Sequence, residues 1–311
     1  MNFLDSLEDS GMQYDLDKQL FEYSDQFSSI VYRRPITMQG DHETDNIQLP
    51  LLAIFTKGPT STTYDYQGVV SLSYRFVGND TLLNKSKESI QEVGFPIVDE
   101  QSTMNFRYTQ FRSELVIRNS KTISQIGDVY PTIIVDNSYD GTRSTTMSFG
   151  LTLYEGSCRT SFCFNLGKMT QVHLTTAKSY INYTVTSYID TFHKNIEELI
   201  QRTFHQKLTT KQVLGVLDVV EKIGKRRRKE ISKILEEIEP VADKHIEEQD
   251  PDTPTHSTWT VFLAIVRYSS LEGNLNAKRM LENAAESLLV IPPKMYNMLK
   301  QLETLKQETN T

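Results

Sequence analysis

The stretch that most constrains the fold is residues 127–153, GDVYPTIIVDNSYDGTRSTTMSFGLTL. An apolar run, Ile133-Ile134-Val135, leads into a polar turn at Asn137-Ser138-Tyr139-Asp140-Gly141. Asn, Asp and Gly cluster where a backbone reverses, because they tolerate positive φ or hydrogen-bond their own backbone. Beyond the turn, apolar residues recur at every second position from residue 147 to residue 153, as in a half-buried strand. The pattern predicts two antiparallel strands joined by a turn.

The pattern of apolar residues changes near residue 190. Before it, alternating runs such as residues 69–77 (VVSLSYRFV) predict strands, and residues 81–92 predict a short helix closed by Gly94 and Pro96. After it, apolar residues recur at three- and four-residue steps, which is the helical period. The predicted helices contain residues 192–200, 213–220, 231–238, 259–268, 277–289 and 294–306, and residues 247–254 are expected to form a loop.

These patterns predict an α+β protein, with a mainly antiparallel β-sheet N-terminal region and a helical C-terminal region. Residues 1–29 form an acidic N-terminal segment, and residues 30–190 form the β-rich domain. Residues 191–311 form a helical region that packs on or beside the sheet, and Trp259 is expected to anchor one of its helices in the core.

The composition indicates a soluble globular protein, since 38% of the 311 residues are hydrophobic and 23% are charged. No apolar run approaches a membrane span, and the acidic N-terminus lacks the pattern of a secretory signal. Cys158 and Cys163 are expected on opposite faces of one strand, which disfavours a disulfide and suits a reducing cytoplasm. The net charge of −7 argues against coating nucleic acid through bulk charge but leaves local basic patches open.

Three aspartates could carry metal chemistry. Asp128, Asp136 and Asp140 fall near the predicted turn, where they would form either a carboxylate cluster for a divalent metal or ordinary turn chemistry. The sequence contains no zinc-ligand spacing, no phosphate-binding loop, no dinucleotide fingerprint and no nucleophile elbow. We therefore expect a protein that is not an enzyme, with no catalytic residue, no metal and no cofactor.

Two groups of residues are candidates for nucleic-acid binding. The first is a run of five cations after Gly224, which would either contact phosphates or lie on a solvated helix paired with the glutamates that follow it. The second is a basic and aromatic face in the β region, whose aromatics would either stack unpaired bases or pack across strands. The candidate residues are Lys225, Arg226, Arg227, Arg228, Lys229, Arg107, Tyr108, Arg112 and Arg143.

The order of these signals resembles a large phage- and plasmid-encoded family known as a domain of unknown function, number 932. The resemblance rests on Gly127-Asp128, Pro131 and the Asn137–Gly141 block, then on Phe162-Cys163-Phe164-Asn165-Leu166 and on the segment from Thr258-Trp259 to Arg267-Tyr268. Leu263-Ala264 departs from the Asn-Ala common in the closing helix of the family. The family has no catalytic residues to transfer. The resemblance implies a mobile-element protein of the bacterial cytoplasm, spanning about residues 51–289.

Two classes of function fit this context. The first is a non-enzymatic binder of single-stranded DNA, acting in single-strand binding or annealing during phage or plasmid replication and recombination, with repetition in a homo-oligomer. The second is a structural or host-interaction protein that contacts a phage or host protein and has no role with nucleic acid. A metal-dependent nuclease built on the aspartates is a third, less favoured class.

Overall fold

The computed structural model describes part of the chain. The described part contains antiparallel strands followed by helices, which is an α+β architecture. The described residues are 13–15, 20–24, 30–39, 46–58, 62–71, 77–105, 107, 109–124, 126–139, 145–155, 158–163, 178–223, 227–239 and 249–290. The chain divides into two compact units, each of which is described by itself. The first unit comprises Met1–Arg118, Ile133–Ser148 and Thr170–Thr186, and the second comprises Asn119–Thr132, Phe149–Met169 and Ser187–Thr311.

The first sheet is an antiparallel meander, in which each strand pairs with the next along the chain. Within the described residues its strands are β1 (Gln13–Asp15), β2 (Leu20–Ser24), β3 (Ile30–Gln39), β4 (Asn46–Lys57) and β5 (Asp65–Ser71). In β4 the side chains of Leu52, Ile54 and Thr56 are buried, and those between them are half-buried. This alternation follows from the period of two in a strand, which places successive side chains on opposite faces.

The second sheet contains the predicted strand pair of residues 127–153. Its described strands are β6 (Ile97–Met104), β7 (Gln110–Ile117), β8 (Lys121–Ile123), β9 (Gly127–Ser138), β10 (Thr146–Glu155) and β11 (Cys158–Cys163). The strand order is β11-β10-β9-β7-β6, and β8 pairs with the start of β9. Strands β9 and β10 are neighbours in this sheet, which confirms the predicted pairing. The two cysteines stand at the two ends of β11, as expected for residues of one strand.

The first helix, α1 (Asn79–Glu92), confirms the helix predicted before Gly94 and Pro96. Gly94 has a φ of +84°, the left-handed conformation that glycine adopts without strain. The N–H of Gly94 donates to the carbonyl of Gln91 at 2.9 Å, and that of Phe95 donates to Ile90 at 3.2 Å. These two bonds satisfy carbonyls at the end of the helix in the Schellman arrangement.

The C-terminal part of the chain is helical, as predicted. The described helices are α2 (Lys178–His205), α3 (Thr210–Ile223), α4 (Arg227–Ile238), α5 (Thr258–Ser270) and α6 (Leu275–Val290). Two short strands, β12 (Lys207–Thr209) and β13 (Pro254–Ser257), pair antiparallel and were not predicted. Ser257 caps α5, because its hydroxyl accepts from the N–H of Thr260 at 3.0 Å. The prediction over residues 294–306 lies outside the described residues.

The core of the second unit joins helices to strands. Phe192, Ile196 and Ile200 of α2 are buried in one cluster with Leu151 of β10 and Phe162 of β11. Ring contacts extend the cluster into α5, because Phe262 packs against Phe162 at 4.9 Å and against Trp259 at 5.1 Å between centroids. Trp259 is 2% exposed. The α+β prediction is confirmed, and none of the helices described is both long and apolar enough to cross a bilayer.

Candidate functional site

Arg227, the first residue of α4, is held by an ion pair. Its Nε and Nη2 both donate to Oε2 of Glu272, at 3.1 and 2.6 Å. The two side chains are each 17% exposed, and Glu272 lies just beyond the end of α5. The pair therefore ties the start of one helix to the end of another. Lys225 and Arg226, which precede Arg227 in the cationic run, lie outside the described residues.

Arg228 is also engaged with acidic side chains. Its Nη1 donates to Asp218 and lies 3.4 Å from Oε2 of Glu221, and both acids belong to α3. The next cation, Lys229, is exposed. The two arginines thus contact acids on other segments of the second unit. This arrangement favours a role in holding helices together over a role in binding phosphates.

The β-region candidates do not form one exposed face among the described residues. Arg112 of β7 is 2% exposed, and its Nε donates to Oε1 of Glu114 at 3.1 Å. Its guanidinium serves a buried ion pair, so it cannot contact a nucleic acid at the surface. Arg107 is exposed, and its carbonyl accepts from the hydroxyl of Thr56 at 3.0 Å. Tyr108 and Arg143 lie outside the described residues.

Two of the three aspartates lie far apart along one strand. Asp128 and Asp136 are both in β9, eight positions apart, which corresponds to about 27 Å of extended chain. Asp128 accepts a hydrogen bond from the hydroxyl of Thr122 across the strand pair. Asp140 lies outside the described residues, and the described ones contain no group of three potential metal ligands. Two carboxylates this far apart cannot share one ion.

Asn137, in the polar motif, has a structural role in the first unit. Its Nδ2 donates to the carbonyl of Val77 at 2.7 Å and to Oδ1 of Asn79 at 2.9 Å. Its Oδ1 accepts from the hydroxyl of Thr145 at 2.7 Å. A buried amide needs such partners, because an unsatisfied polar group in the interior is destabilising. The side chain links β9 to the segment that precedes α1.

Tyr139, in the same motif, completes the start of α1. The N–H of Asn79 donates to the hydroxyl of Tyr139 at 3.0 Å, and the N–H of Tyr139 donates to the carbonyl of Thr109 at 2.7 Å. The N-cap residue, Gly78, has no side chain with which to bind the free N–H groups of the first turn. Tyr139, which directly follows β9, supplies the missing acceptor from a distant part of the sequence. Within the described part of the motif, the polar groups of Asn137 and Tyr139 are therefore used for folding.

The most distinctive exposed surface lies on β4 and β5, and we call it the aromatic face. Tyr64 and Tyr66 are 48% and 60% exposed, and Val69 is 42% exposed. Tyr66 pairs with Phe55 in the strand register, and their rings meet edge to face at 5.7 Å. Lys57 lies on the same side of β4 as Phe55, because the two are separated by one residue. The aromatic face thus consists of Phe55, Lys57, Tyr64, Tyr66 and Val69.

Charge and register explain how the aromatic face is held. The ammonium of Lys57 lies 5.3 Å from the ring centroid of Tyr64, within the range of a cation–π contact. On the opposite side of the sheet, Leu52, Ile54 and Thr56 are buried, which fixes which side of β4 is open to solvent. The sequence did not reveal this face, because alternation shows that a strand has two faces but not which one remains uncovered. The available signal was the sequence Tyr64-Asp65-Tyr66, in which two tyrosines are separated by one residue and so share one side of an extended chain.

The fold and these sites define an α+β protein with antiparallel sheets, a helical region and an exposed aromatic sheet surface. The family model described as Domain of unknown function (DUF932) matches residues 67–288, more than two thirds of the chain. The chain belongs to this family. No curated protein and no solved structure matches it significantly. The matched residues include Val69 of the aromatic face, the Asn137 motif and the Trp259 helix.

Proposed function

We propose that this protein is a non-enzymatic binder of single-stranded nucleic acid, and that the aromatic face of β4 and β5 is its contact surface. The observation that carries the proposal is the exposure of two tyrosine rings, Tyr66 on β5 and Tyr64 just before it, with the cation Lys57 beside Tyr64. Large aromatic side chains are normally buried, so neighbouring exposed rings call for a partner. Every base has a flat π-face, so stacking on tyrosine suits a strand of any sequence.

The geometry of the rings favours an unpaired strand. Tyr64 and Tyr66 are two positions apart, which places their backbones about 7 Å apart along the chain. Each stacked base contributes about 1–3 kcal/mol to the binding free energy of a single strand. In a duplex the bases are stacked on one another and their faces are closed, so the aromatic face has nothing to stack on. The surface therefore distinguishes single strands from double strands.

The electrostatics of the aromatic face predict an unusual dependence on salt. The face holds one cation, Lys57, and the whole chain carries a net charge of −7. Each phosphate contact with a single strand contributes about −0.7 to the slope of log affinity against log salt concentration. Since few phosphates are neutralised, most of the affinity comes from stacking. Binding through the cationic run of residues 225–229 would instead show a slope near −3.5, at about −0.7 for each of its five cations.

The biological setting is part of the same proposal. We place the protein in the cytoplasm of a bacterial host, encoded by a phage or plasmid, where it acts in single-strand binding or annealing during replication and recombination. Contacts limited to two rings give modest affinity to one chain. Repetition of the face in a homo-oligomer would raise the effective concentration along a strand, and so the overall affinity.

Substitution of the two tyrosines tests the proposal. Tyr64→Ala and Tyr66→Ala should each weaken binding of a labelled single strand by about 5- to 160-fold, the equivalent of about 1–3 kcal/mol per ring. The matched controls are Tyr64→Phe and Tyr66→Phe, which keep the ring and should bind within about twofold of the wild type. Fluorescence anisotropy measures the affinity, and thermal unfolding confirms that each variant folds. Wild-type affinity in the double alanine variant would overturn the proposal.

A structural or host-interaction role is the second candidate. Its specific support is Val69, which adds an exposed apolar side chain to the aromatic face and pairs with the half-buried Ala53. Contiguous exposed apolar surface also marks contacts between proteins. Sedimentation of the wild type and of the double alanine variant tests this role. A loss of self-association in the variant, together with no binding of oligonucleotides by the wild type, would favour the second candidate.

A further inference from the structure

The second unit contains a cavity of about 590 Å³ that the proposed function does not use. It lies where the end of α2, strands β12 and β13, the end of α4 and the start of α5 meet. Phe204, Trp259 and Leu263 contribute apolar walls, and His205, Lys207 and Glu239 contribute polar ones. Cavities of about 300–1,000 Å³ with mostly apolar walls and a few polar groups are typical of small-molecule sites.

The carboxylate of Glu239 is already occupied by protein donors. Lys207 donates to its Oε1 at 2.5 Å, and the N–H of Ser257 donates to its Oε2 at 3.2 Å. Burial acts to raise the pKa of Glu239, but hydrogen bonds from Lys207, Thr260 and Ser257 outweigh it and hold the pKa below its usual value. Glu239 therefore stays ionised and balances the charge of Lys207. It positions the lysine, and because Lys207 and the N–H of Ser257 offset its charge, it repels a second anion less than a free carboxylate would.

The cavity also has a cationic donor, the ammonium of Lys207. An ammonium carries three N–H groups, and the bond to Glu239 uses one of those on Lys207, whose side chain is 46% exposed. The indole Nε1 of Trp259 is buried and has no hydrogen-bond partner. An indole nitrogen can only donate, and buried donors in native proteins nearly always have an acceptor. Trp259 therefore lines the cavity with its ring, and its buried N–H reports on the packing around that ring.

We infer that this cavity binds a small aromatic anion, with the ring of the ligand against Phe204 and Trp259 and its acidic group at Lys207. The apolar walls suit a planar ring, and the N–H groups of Lys207 that Glu239 does not use suit the oxygens of a carboxylate, sulfonate or phosphate. A neutral aromatic ligand could fill the apolar part of the cavity but would form no ion pair with Lys207. A small polar anion would leave the apolar walls uncovered.

The single tryptophan of the chain gives a local readout. A ¹⁵N-labelled sample contains one indole N–H, so its NMR signal reports on Trp259 alone. The probe is 8-anilinonaphthalene-1-sulfonate, an aromatic sulfonate, added to the full-length protein. We expect one-to-one binding and a shift of the indole signal that saturates with the probe. An unmoved indole signal at saturating probe would overturn the inference.

The charge requirement is tested on the wild type and on variants. The uncharged N-phenyl-1-naphthylamine should bind about tenfold more weakly than the sulfonate. Lys207→Ala should weaken the sulfonate by a similar factor, Lys207→Arg should restore most of the affinity, and Leu263→Phe should narrow the cavity and weaken both probes. Lys194→Ala, at an exposed position of α2, is the matched control and should leave affinity unchanged. Equal affinity for the two probes would contradict the assignment of an anion site, even if the variants fail to fold.

Discussion

Replacing Arg227 by alanine should destabilise the protein and leave its affinity for single strands unchanged. The guanidinium makes two hydrogen bonds to Glu272, and both side chains are largely buried. Hydrogen bonds to charged groups contribute about 1.5–3 kcal/mol, and removing Arg227 also takes away the cation that offsets the partial burial of the Glu272 carboxylate. Part of this loss is recovered, because Glu272 is still 17% exposed and its Oε1 accepts from the N–H of Asn274.

We therefore expect Arg227→Ala to lower the free energy of unfolding by about 2 kcal/mol, which corresponds to a fall in Tm of roughly 4–8 °C for a unit of this size. Urea unfolding followed by circular dichroism gives the free energy, and anisotropy with a labelled single strand gives the affinity. Lys229→Ala is the matched control, because Lys229 is exposed on the same helix and should change stability by less than about 0.5 kcal/mol. Unchanged stability together with a large loss of affinity would refute this reasoning and return the arginines to phosphate binding.

Three other substitutions test parts of the fold. Gly127→Ala should lower the free energy of unfolding in urea by about 1–2 kcal/mol, because Gly127 has a φ of +81°. No neighbouring atom lies within 4 Å of an added Cβ, so the loss measures backbone strain alone. An unchanged unfolding midpoint would show that the backbone relaxes. Tyr139→Phe should cost about 1–2 kcal/mol, because the N–H of Asn79 loses its acceptor, and a neutral result would deny the capping role. Burial lowers the pKa of His256 below its usual value of 6.5, although Glu239 opposes the shift. As the pH falls, His256 is therefore protonated in the unfolded chain before it is protonated in the folded one, and the free energy of unfolding should fall below about pH 6.5. In His256→Asn the fall in stability between about pH 7.5 and pH 5.5 should be absent. A stability profile identical to that of the wild type would contradict the lowered pKa of His256.

The sequence predicts the larger elements because their periodic patterns are long. The strands around residues 133–135 and the helix before Gly94 were both identifiable, since their hydrophobic period and their turn residues agree. Strands β12 and β13 contain three and four residues, too few to show a period, and they are held by pairing between distant segments. Their register, with Leu208 opposite His256, depends on long-range contacts that local patterns do not encode.

The candidate site was harder to predict than the fold. The sequence indicates that aromatic and basic residues interleave, but burial separates them, and Arg112 lies in the interior while Tyr64 and Tyr66 are exposed. A run of cations cannot be distinguished from a set of ion pairs without knowing where the acids lie. Glu272 is 45 residues from Arg227 along the chain, and only the packing of α4 against α5 brings the two together.

The salt dependence of binding to single-stranded and double-stranded oligonucleotides tests the central claim most directly. Fluorescence anisotropy of the wild-type protein over a series of salt concentrations gives the slope of log affinity against log salt. Stacking on the aromatic face predicts tighter binding to the single strand and a shallow slope, between about −0.7 and −1.4 for one or two phosphate contacts. Equal binding to both forms with a slope near about −3.5, or no binding at low salt, would contradict the account.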